Sequence, residues 1–366
     1  MKKLSYIALV ALAALTACSK VEMDSYAPAR KVTFQVAAYV PQTKANVSAW
    51  GLASFSAKAF LHAEGYADET QNFFGTADDY IETITPYQSN GSAATTDANT
   101  AYWGPSHDYY WPKGSTSYIN FIAWKGTAPS VPDENTMSWT SYEVNGSSDL
   151  LYADKAWRYK ANTANGTHYD GDGVTSGVPM LFHHALAQVC FQAQAVNAPT
   201  TGNITRTATI NSFSLSGVYS NGTLTLTNSD PGSCTTSTWT VSGGNWTPSG
   251  NPSSISNSSN VNLSATATDL VSMRTVLPQS VANEMLVSVV YTLVTEIGGS
   301  EFSSEIVRIE NKKLSELVPD ITAWEMGHQI TYTLQVDLTA NQILISPTIQ
   351  EIQDWIAAGE NSIAIE

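Results

Sequence analysis

The sequence predicts a secreted all-β protein made of two tandem β-sandwich domains behind a lipoprotein signal peptide. Apolar and polar residues alternate with a period of two in many short segments, which is typical of strands with one buried face. Hydrophobic residues make up 43% of the 366 residues and charged residues only 13%. Serine, threonine and asparagine supply most of the remaining polar surface, as in many secreted β proteins. The length suits two domains better than one.

Residues 1–17 have the features of a bacterial lipoprotein signal peptide. Lys2 and Lys3 precede a core of about ten apolar residues, which is too short to span a bilayer as a stable helix. Small residues then lead to Cys18, which this pattern predicts to be the acylated first residue of the mature chain. The alternative is ordinary signal cleavage near Ala17 with Cys18 unmodified. Residues 18–31 are predicted to be a tether.

The first strand of the mature chain is predicted at residues 32–40. Its apolar side chains alternate with polar or small ones, so one face is expected to be buried. The buried face is predicted to consist of Val32, Phe34, Val36, Ala38 and Val40. Residues 41–46 have the composition of an exposed turn, where a protease can reach the backbone. Lys44 is therefore a candidate for trypsin-like cleavage, which would release the lipid and the first strand together.

The N-terminal domain is predicted to occupy residues 32–177. Residues 118–124 are apolar on both faces and are expected to form a central strand. The aromatic residues between Tyr102 and Trp111 are expected to close the core at the rim of the sandwich. Their alternative role is to stack on sugars, with Trp103 and Trp111 as the binding residues.

The C-terminal domain is predicted to occupy residues 178–366, and alternation is clearest at residues 330–338. Asn221 and Gly222 predict a type I′ hairpin between strands at 210–218 and 223–227. Residues 231–265 are predicted to be a loop. Ser346 and Pro347 are predicted to begin a short helix or an irregular arm.

Charge and cysteine content limit the classes of function. The net charge of −15 at pH 7 disfavours binding to nucleic acid, because an acidic surface repels phosphates. The three cysteines are Cys18, Cys190 and Cys234. With Cys18 acylated, one disulfide could form, but free thiols are predicted because a core of this size needs no cross-link.

Motifs for catalysis, metal binding or cofactors are missing from the sequence. There is no Gly-x-Ser-x-Gly elbow, no His-Glu-x-x-His pair and no phosphate-binding loop. His183 and His184 are adjacent in a predicted strand, so they point to opposite faces and cannot chelate one metal ion together. The Asp-Gly repeat at residues 170–173 lacks the later glutamate of a calcium loop and is expected to be a turn. The sequence therefore predicts no enzyme, no metal site and no cofactor.

Several segments in order along the chain resemble the fimbrillin family, the type V pilus subunits of anaerobic Gram-negative bacteria. The resemblance spans nearly the whole mature chain. It rests on the lipoprotein signal, on the strand that ends in Gln42-Thr43-Lys44-Ala45, and on Tyr110-Trp111-Pro112, Phe121-Ile122-Ala123, Val178-Pro179-Met180, Phe182-His183-His184-Ala185-Leu186-Ala187, Gly217-Val218-Tyr219, Gly222-Thr223-Leu224, Leu277-Pro278-Gln279 and Trp324-Glu325-Met326-Gly327.

The resemblance implies two transthyretin-like β-sandwich domains and a route of assembly. Family members reach the outer membrane as lipoproteins and are cut after the first strand by a trypsin-like protease. The groove that is left accepts a strand from a neighbouring subunit of the cell-surface fimbrium. The family commonly has an arginine before the cut, whereas this chain has Lys44 at the matching position. This departure allows a second role, as an anchor subunit that keeps its lipid.

The expected partners are therefore other pilus subunits, the processing protease, the outer membrane through the lipid, and a surface ligand that the fimbrium would contact. The strand given to the neighbour is predicted to come from the C-terminal arm, at Ile343, Ile345, Ile363 and Ile365. Alternatively these residues form fixed edge strands of their own domain. The competing function is a monomeric outer-membrane lipoprotein that binds glycans through the aromatic cluster.

Overall fold

A computed structural model of the chain describes the residues that follow. They are residues 32, 34–38, 52, 54–62, 71–74, 80–87, 102–107, 109–111, 118–159, 178–199, 202–228, 243–281, 284–340 and 342–351. Within these ranges the regular structure is almost all β-strand, which confirms the predicted all-β class. No helix among them is both long enough and apolar enough to cross a membrane.

The elements follow one another along the chain without long helices. In chain order they are β1 (Phe34–Ala38), β2 (Phe55–His62), β3 (Gln71–Asn72), β4 (Glu82–Tyr87), β5 (Tyr102–Pro105), β6 (Tyr118–Lys125), β7 (Val131–Pro132), β8 (Thr136–Glu143), β9 (Leu151–Ala153), β10 (Ala156–Tyr159), β11 (Val178–His184), β12 (Ala187–Val196), β13 (Ile204–Val218), β14 (Asn221–Thr227), β15 (Gly243–Ser249), β16 (Ser253–Asn257), β17 (Val261–Asn262), β18 (Thr268–Val276), β19 (Gln279–Ser280), β20 (Leu286–Ile297), β21 (Ser300–Lys313), α1 (Leu314–Leu317), β22 (Ala323–Trp324), β23 (His328–Asp337) and β24 (Gln342–Glu351).

The first half of the chain forms a ladder that closes on itself. Its order is β10-β6-β9-β11-β1-β5-β4-β2-β3, and β6 also pairs with β2. The pairing of β6 with β2 on one side and with β9 on the other completes a ring through β11, β1, β5 and β4. We call this arrangement the closed ladder. Aromatic side chains fill it, among them Phe34, Phe55, Trp103 and Phe121, each at most 2% exposed.

The second half of the chain forms a two-layer β-sandwich. One sheet has the order β18-β12-β23-β24 and the other the order β16-β13-β20-β21. Their facing side chains make one hydrophobic core that includes Phe191, Phe213, Tyr291 and Tyr332. The alternation predicted for residues 330–338 is confirmed, because Ile330, Tyr332, Leu334 and Val336 are buried on one face.

A third sheet joins the two halves. Its order is β15-β14-β8-β7, so β8 from the first half pairs with β14 from the second, with Leu224 opposite Trp139. A separate hydrophobic core lies beneath it and includes Trp124, Trp139, Leu226 and Trp246. In addition, β11 begins at residue 178 and belongs to the closed ladder. The division into domains at residue 178 stays a prediction.

The predicted hairpin at Asn221 and Gly222 is wrong. Both residues lie inside β14, which pairs with β15 and β8, whereas β13 pairs with β16, β17 and β20. The chain changes sheets before them, at Tyr219 and Ser220, after β13 ends at Val218. Near that end Gly217 has a φ of +82°. Gly222 is small for a packing reason, since a Cβ there would lie 2.8 Å from Leu277 Cδ2 and 3.0 Å from the Thr247 carbonyl oxygen.

Two further predictions of irregular structure are wrong within the described residues. The loop predicted at residues 231–265 contains β15, β16 and β17. The helix or irregular arm predicted from Ser346 is strand β24, which pairs with β23 along its whole length. Proline is tolerated there because an edge strand does not need every N–H for its ladder; Pro347 lies opposite Tyr332.

Candidate assembly site

The first strand lies inside the closed ladder, between two neighbours. It runs parallel to β11, with Phe34 opposite Val178 and Ala38 opposite Phe182, and antiparallel to β5 at Trp103. Just before it, the Val32 N–H donates to the Tyr109 carbonyl oxygen at 2.8 Å. We call the space that β1 and Val32 fill the first-strand slot.

Aromatic packing dominates the first-strand slot. The Phe34 ring meets Phe121 edge-to-face at 5.3 Å between centroids, Phe55 at 6.0 Å and Phe74 at 6.3 Å. Phe34 is fully buried and Val32 is 2% exposed, as expected for the apolar face of this strand. The backbone of Val36 and Ala38 lies in β1. Val40 is outside the described residues.

A buried carboxylate fixes the rim of the first-strand slot. Glu82 in β4 is 2% exposed and accepts hydrogen bonds from the Ser106 hydroxyl at 2.6 Å, the Ser106 N–H at 3.1 Å, and the Tyr80 and Tyr109 hydroxyls at 3.1 Å each. The Tyr109 hydroxyl also contacts the Phe74 carbonyl oxygen. Because Tyr109 binds the Val32 N–H through its backbone, the Glu82 cluster positions one end of the slot.

The Glu82 cluster shifts two pKa values in opposite directions. Burial alone would raise the pKa of Glu82, but the hydrogen bonds from Ser106, Tyr80 and Tyr109 outweigh it and lower the pKa. Burial and the negative charge of Glu82 raise the pKa of Tyr109 far above its usual range. At neutral pH the carboxylate is therefore charged and the tyrosine hydroxyl is protonated.

Replacing Glu82 with glutamine is expected to reduce the loss of folding stability at acidic pH. The carboxylate has an ordinary pKa of 4.5, which folding lowers. The contribution of the ionised carboxylate to the free energy of unfolding is thus fully present above about pH 4.5. It is lost as the pH falls through the lower folded-state pKa. Urea unfolding from neutral pH down to about pH 3 should show a smaller loss for Glu82→Gln than for the wild type. Equal losses for the two proteins would show that the folded state does not favour the charged form.

The Glu82 cluster was not predicted, although the alternation of residues in β4 contains one signal of it. Glu82 and Ile84 lie on the buried face of β4, whereas Thr83 and Thr85 are exposed. A carboxylate at an inward position of an alternating segment needs hydrogen-bond donors. Its donors lie up to 27 residues away, however, and local patterns do not identify them.

The predicted donor residues Ile343 and Ile345 lie in β24, at the edge of the second sandwich. Both are half-buried against the core, whereas Leu344 between them is 53% exposed. Along the part of the chain that is described, β24 pairs with β23 alone.

The turn before β24 is held by a carboxylate. Asp337 Oδ1 accepts hydrogen bonds from the Thr339 and Ala340 N–H groups at 2.8 Å, and Asp337 Oδ2 accepts one from Asn197 at 2.6 Å. These bonds hold the pKa of Asp337 well below its usual range. The start of β24 therefore has a fixed position.

Several predicted site residues lie outside the described residues. They are Cys18, Lys44, Val40, Ile363, Ile365, Cys234 and the Asp-Gly repeat at 170–173. The roles predicted for them stay predictions.

The two tryptophans of the suggested glycan site are buried in the closed ladder. Trp103 is 2% exposed and Trp111 is 6% exposed, and Trp111 packs edge-to-face on Phe121 at 6.1 Å. Tyr110 between them is 44% exposed. Neither tryptophan offers a ring face to a sugar, so these residues close the core as expected.

The adjacent histidines each pair with a different carboxylate. His183 Nε2 lies 2.9 Å from Asp154 Oδ2, and His184 Nδ1 lies 2.5 Å from Asp149 Oδ2. Asp149 precedes β9 and Asp154 follows it, so the two pairs bracket the strand that joins β11 to β6. These two pairs stabilise β11, the strand next to β1 in the closed ladder.

Cys190 is a buried free thiol in β12, as predicted. Burial and the neighbouring Asp269 carboxylate raise the pKa of this thiol to about 12. The thiol is therefore protonated at neutral pH and a poor nucleophile.

Comparisons with known proteins agree with this fold. The sequence model of a family described as fimbrillin-like matches residues 66–355. No curated protein matches the sequence. Among solved structures, a fimbrial protein from Bacteroides vulgatus is 15% identical, with 88% of this chain and 99% of that chain covered and a TM-score of 0.51. That similarity shows a shared fold.

Two other solved structures are more distant. A candidate cell adhesion protein from Bacteroides uniformis is 14% identical, with 90% of this chain and 99% of that chain covered and a TM-score of 0.42. The fimbrial anchor protein Mfa2 from Porphyromonas gingivalis is 9% identical, with 89% of this chain and 99% of that chain covered and a TM-score of 0.29. Similarities at this level support no conclusion about this chain.

Proposed function

The chain belongs to the fimbrillin-like family, and from this premise we propose that it is a non-enzymatic structural subunit of a cell-surface fimbrium that supports adhesion. Subunits would join by strand exchange at the first-strand slot. One observation carries the proposal: β1 is an interior member of the closed ladder, although it comes from the N-terminal end of the chain and precedes Lys44. A single cut after β1 would therefore make an interior strand removable.

The proposed precursor is an outer-membrane lipoprotein. Cys18 would carry the lipid after removal of residues 1–17, and residues 18–31 would tether it to β1. A trypsin-like protease would then cut after Lys44 and separate the lipid and β1 from the rest of the subunit. An uncut copy would keep its lipid and serve as the anchor. We also propose that residues 32–177 and 178–366 are two transthyretin-like domains.

Loss of β1 would leave a state that cannot persist in water. It would open the closed ladder between β11 and β5 and expose both backbone edges and the rings of Phe55, Phe74 and Phe121. Refilling the slot with an apolar strand is worth on the order of 5 to 10 kcal/mol at about 25 cal/mol per Å². Backbone hydrogen bonds to the new strand add to this, as in β-augmentation generally.

The proposed donor is the C-terminal arm of a neighbouring copy or relative. Ile343 and Ile345 would enter from β24, and Ile363 and Ile365 from the residues beyond it. Along the described chain β24 is bonded on one edge only, and its outward side chain Leu344 is exposed. An edge strand exchanges its partner more readily than an interior strand, since fewer ladder bonds must break.

Trypsin treatment of the lipid-free precursor is expected to cut at Lys44 and to produce oligomer ladders that resist mild heating in detergent. The Lys44→Ala variant should stay monomeric, because β1 remains covalently attached and fills its slot. Size under mild detergent electrophoresis, with N-terminal sequencing of each band, measures both effects.

The matched control is Lys31→Ala, which removes a cleavage site on the other side of β1. Cleavage after residue 31 does not release β1 from the subunit, so blocking it should not affect strand exchange. This variant should therefore form the same ladders as the wild type. Ladders from Lys44→Ala, or a wild-type protein that begins at Ala45 and stays monomeric, would contradict strand exchange at this slot.

A further inference from the structure

Lys155, between β9 and β10, is fully buried in the first half of the chain, with an exposed fraction of 0%. Lysine is among the residues least often buried, because its ammonium group loses hydration. A buried amine that faces a polar cluster can act as a nucleophile when a neighbouring group accepts its proton. The assembly route does not use Lys155.

A carboxamide and a carboxylate lie close to the Lys155 amine. Lys155 Nζ lies 3.2 Å from Asn135 Oδ1 and 4.0 Å from Glu134 Oε1. Both neighbours belong to the turn between β7 and β8. An amine, a carboxamide carbon and a carboxylate are therefore held within a few ångströms of one another.

The turn that carries Asn135 is fixed on both sides. The Asn135 N–H donates to Asp133 Oδ1 at 3.0 Å, and the Asn135 carbonyl oxygen accepts from the Asn228 N–H at 2.9 Å. The Asn228 side chain also donates to the Glu134 carbonyl oxygen at 3.3 Å. Restraint of this kind keeps reacting groups close and lowers the entropic part of a barrier.

Glu134 is placed to relay a proton. It is 7% exposed, and its carboxylate lies 3.0 and 3.1 Å from His62 Nε2 and accepts a hydrogen bond from the Asn120 side chain. Burial alone would raise the pKa of Glu134, but these contacts outweigh it and lower the pKa. The carboxylate is thus ionised at neutral pH and can accept a proton. The His62 ring is held in turn by stacking on Tyr118 at 4.6 Å.

We propose that Lys155 and Asn135 join through an intramolecular amide bond, with Glu134 as the proton relay. Glu134 takes one proton from the Lys155 ammonium group, and Nζ attacks Cγ of Asn135. A second proton passes from Nζ to Nδ2 of Asn135, the Cγ–Nδ2 bond breaks, and ammonia leaves with the proton that Glu134 held. One ammonium group and one carboxamide become one secondary amide and one ammonium ion, so atoms and charge balance without an oxidant.

The position of the two residues suits this reaction. Lys155 is shielded from water, whereas Asn135 is exposed, so ammonia can escape into solvent. The bond would tie the β7–β8 turn of the sheet that joins the two halves to the β9–β10 connection of the closed ladder. This cross-link would remain when β1 is removed.

Mass spectrometry of the denatured full-length protein tests the proposal. The chain should be lighter than its sequence by the mass of one ammonia. Trypsin should fail to cut after Lys155, so residues 126–158 should appear as one peptide that lacks one ammonia. The sequence has no lysine or arginine between Lys125 and Lys155, so an unmodified chain gives a peptide of residues 126–155 of unchanged mass. That unchanged peptide, or a loss of ammonia elsewhere in the chain, would overturn the proposal.

Three variants separate the roles of the residues. Glu134→Gln keeps the shape of the side chain but cannot accept the proton, so it should retain full mass and cleavage after Lys155. Asn135→Ala should do the same because it has no carboxamide. Glu143→Gln is the matched control, because it removes an exposed carboxylate from β8, and it should still lose ammonia. If Glu134→Gln loses ammonia as completely as the wild type, Glu134 is not the relay. The wild-type mass decides the bond itself even if a variant fails to fold.

Discussion

Replacing Phe34 with alanine is expected to destabilise the uncut precursor by about 3 to 5 kcal/mol, the usual cost of removing a buried aromatic ring. Phe34 is fully buried, and its ring contacts Phe55, Phe74 and Phe121. Those three rings would be left around a cavity in the closed ladder. The free energy of unfolding of the two precursors in urea measures the effect.

The matched control is Phe302→Ala, which removes the same ring from an exposed site. Phe302 is 71% exposed in β21, so its loss should change stability by less than about 0.5 kcal/mol. If Phe34→Ala costs no more than Phe302→Ala, β1 does not fill the first-strand slot in the precursor. In subunits already cut at Lys44 and assembled, the proposed route predicts that Phe34→Ala has no effect, since β1 is gone.

Replacing Gly217 with alanine is expected to cost more than about 4 kcal/mol or to prevent folding. Gly217 has a φ of +82°, and a Cβ there would lie 2.0 Å from the Glu284 carbonyl oxygen. Backbone cannot move aside as a flexible side chain can, so β13 would have to separate from the residues that precede β20. Thermal and urea unfolding of the purified variant measure the loss.

Gly202→Ala is the control for backbone strain alone. Gly202 has a φ of +75°, and no atom lies within 4 Å of the position that its Cβ would take. We expect a cost of about 1 to 2 kcal/mol for the left-handed conformation and nothing more. Similar losses for Gly202→Ala and Gly217→Ala would mean that the contact with Glu284 is not close in solution.

Alternation predicted strands well wherever one face meets a core. Ile330, Tyr332, Leu334 and Val336 could be assigned to a buried face from sequence alone, and the buried Val32 and Phe34 agree with the predicted first strand. In both segments the period of two reflects local geometry that does not depend on which strand is the neighbour. Element type was therefore predictable even though each strand's partner was not.

Pairing depended on distant residues, and there local signals failed. Asn221 and Gly222 fit a hairpin turn, but β13 pairs with β20 and β14 pairs with β8, and both partners are distant in the sequence. Residue 222 must be small because a Cβ there would collide with Leu277, which lies more than fifty positions later in the chain. Pro347 suggested a helix start, although a proline is equally acceptable on an edge strand.

Some residues of the candidate sites could be predicted from the sequence, and others could not. The buried tryptophans Trp103 and Trp111 were correctly expected to close the core, since large aromatic rings in a strand-rich segment most often do. Glu82, Asn135 and Lys155 were not recognised, because each is an ordinary polar residue until folding brings its partners near. Only three-dimensional proximity makes these residues chemically distinctive.

The parallel pairing of β1 with β11 has a consequence for the direction of a fibre. Parallel and antiparallel ladders place their hydrogen bonds differently, so a replacement that restores the bonds to β11 must run the same way as β1. If each copy gives its C-terminal arm to the next, every junction then repeats one orientation. The filament would have a head and a tail, and growth at its two ends would differ.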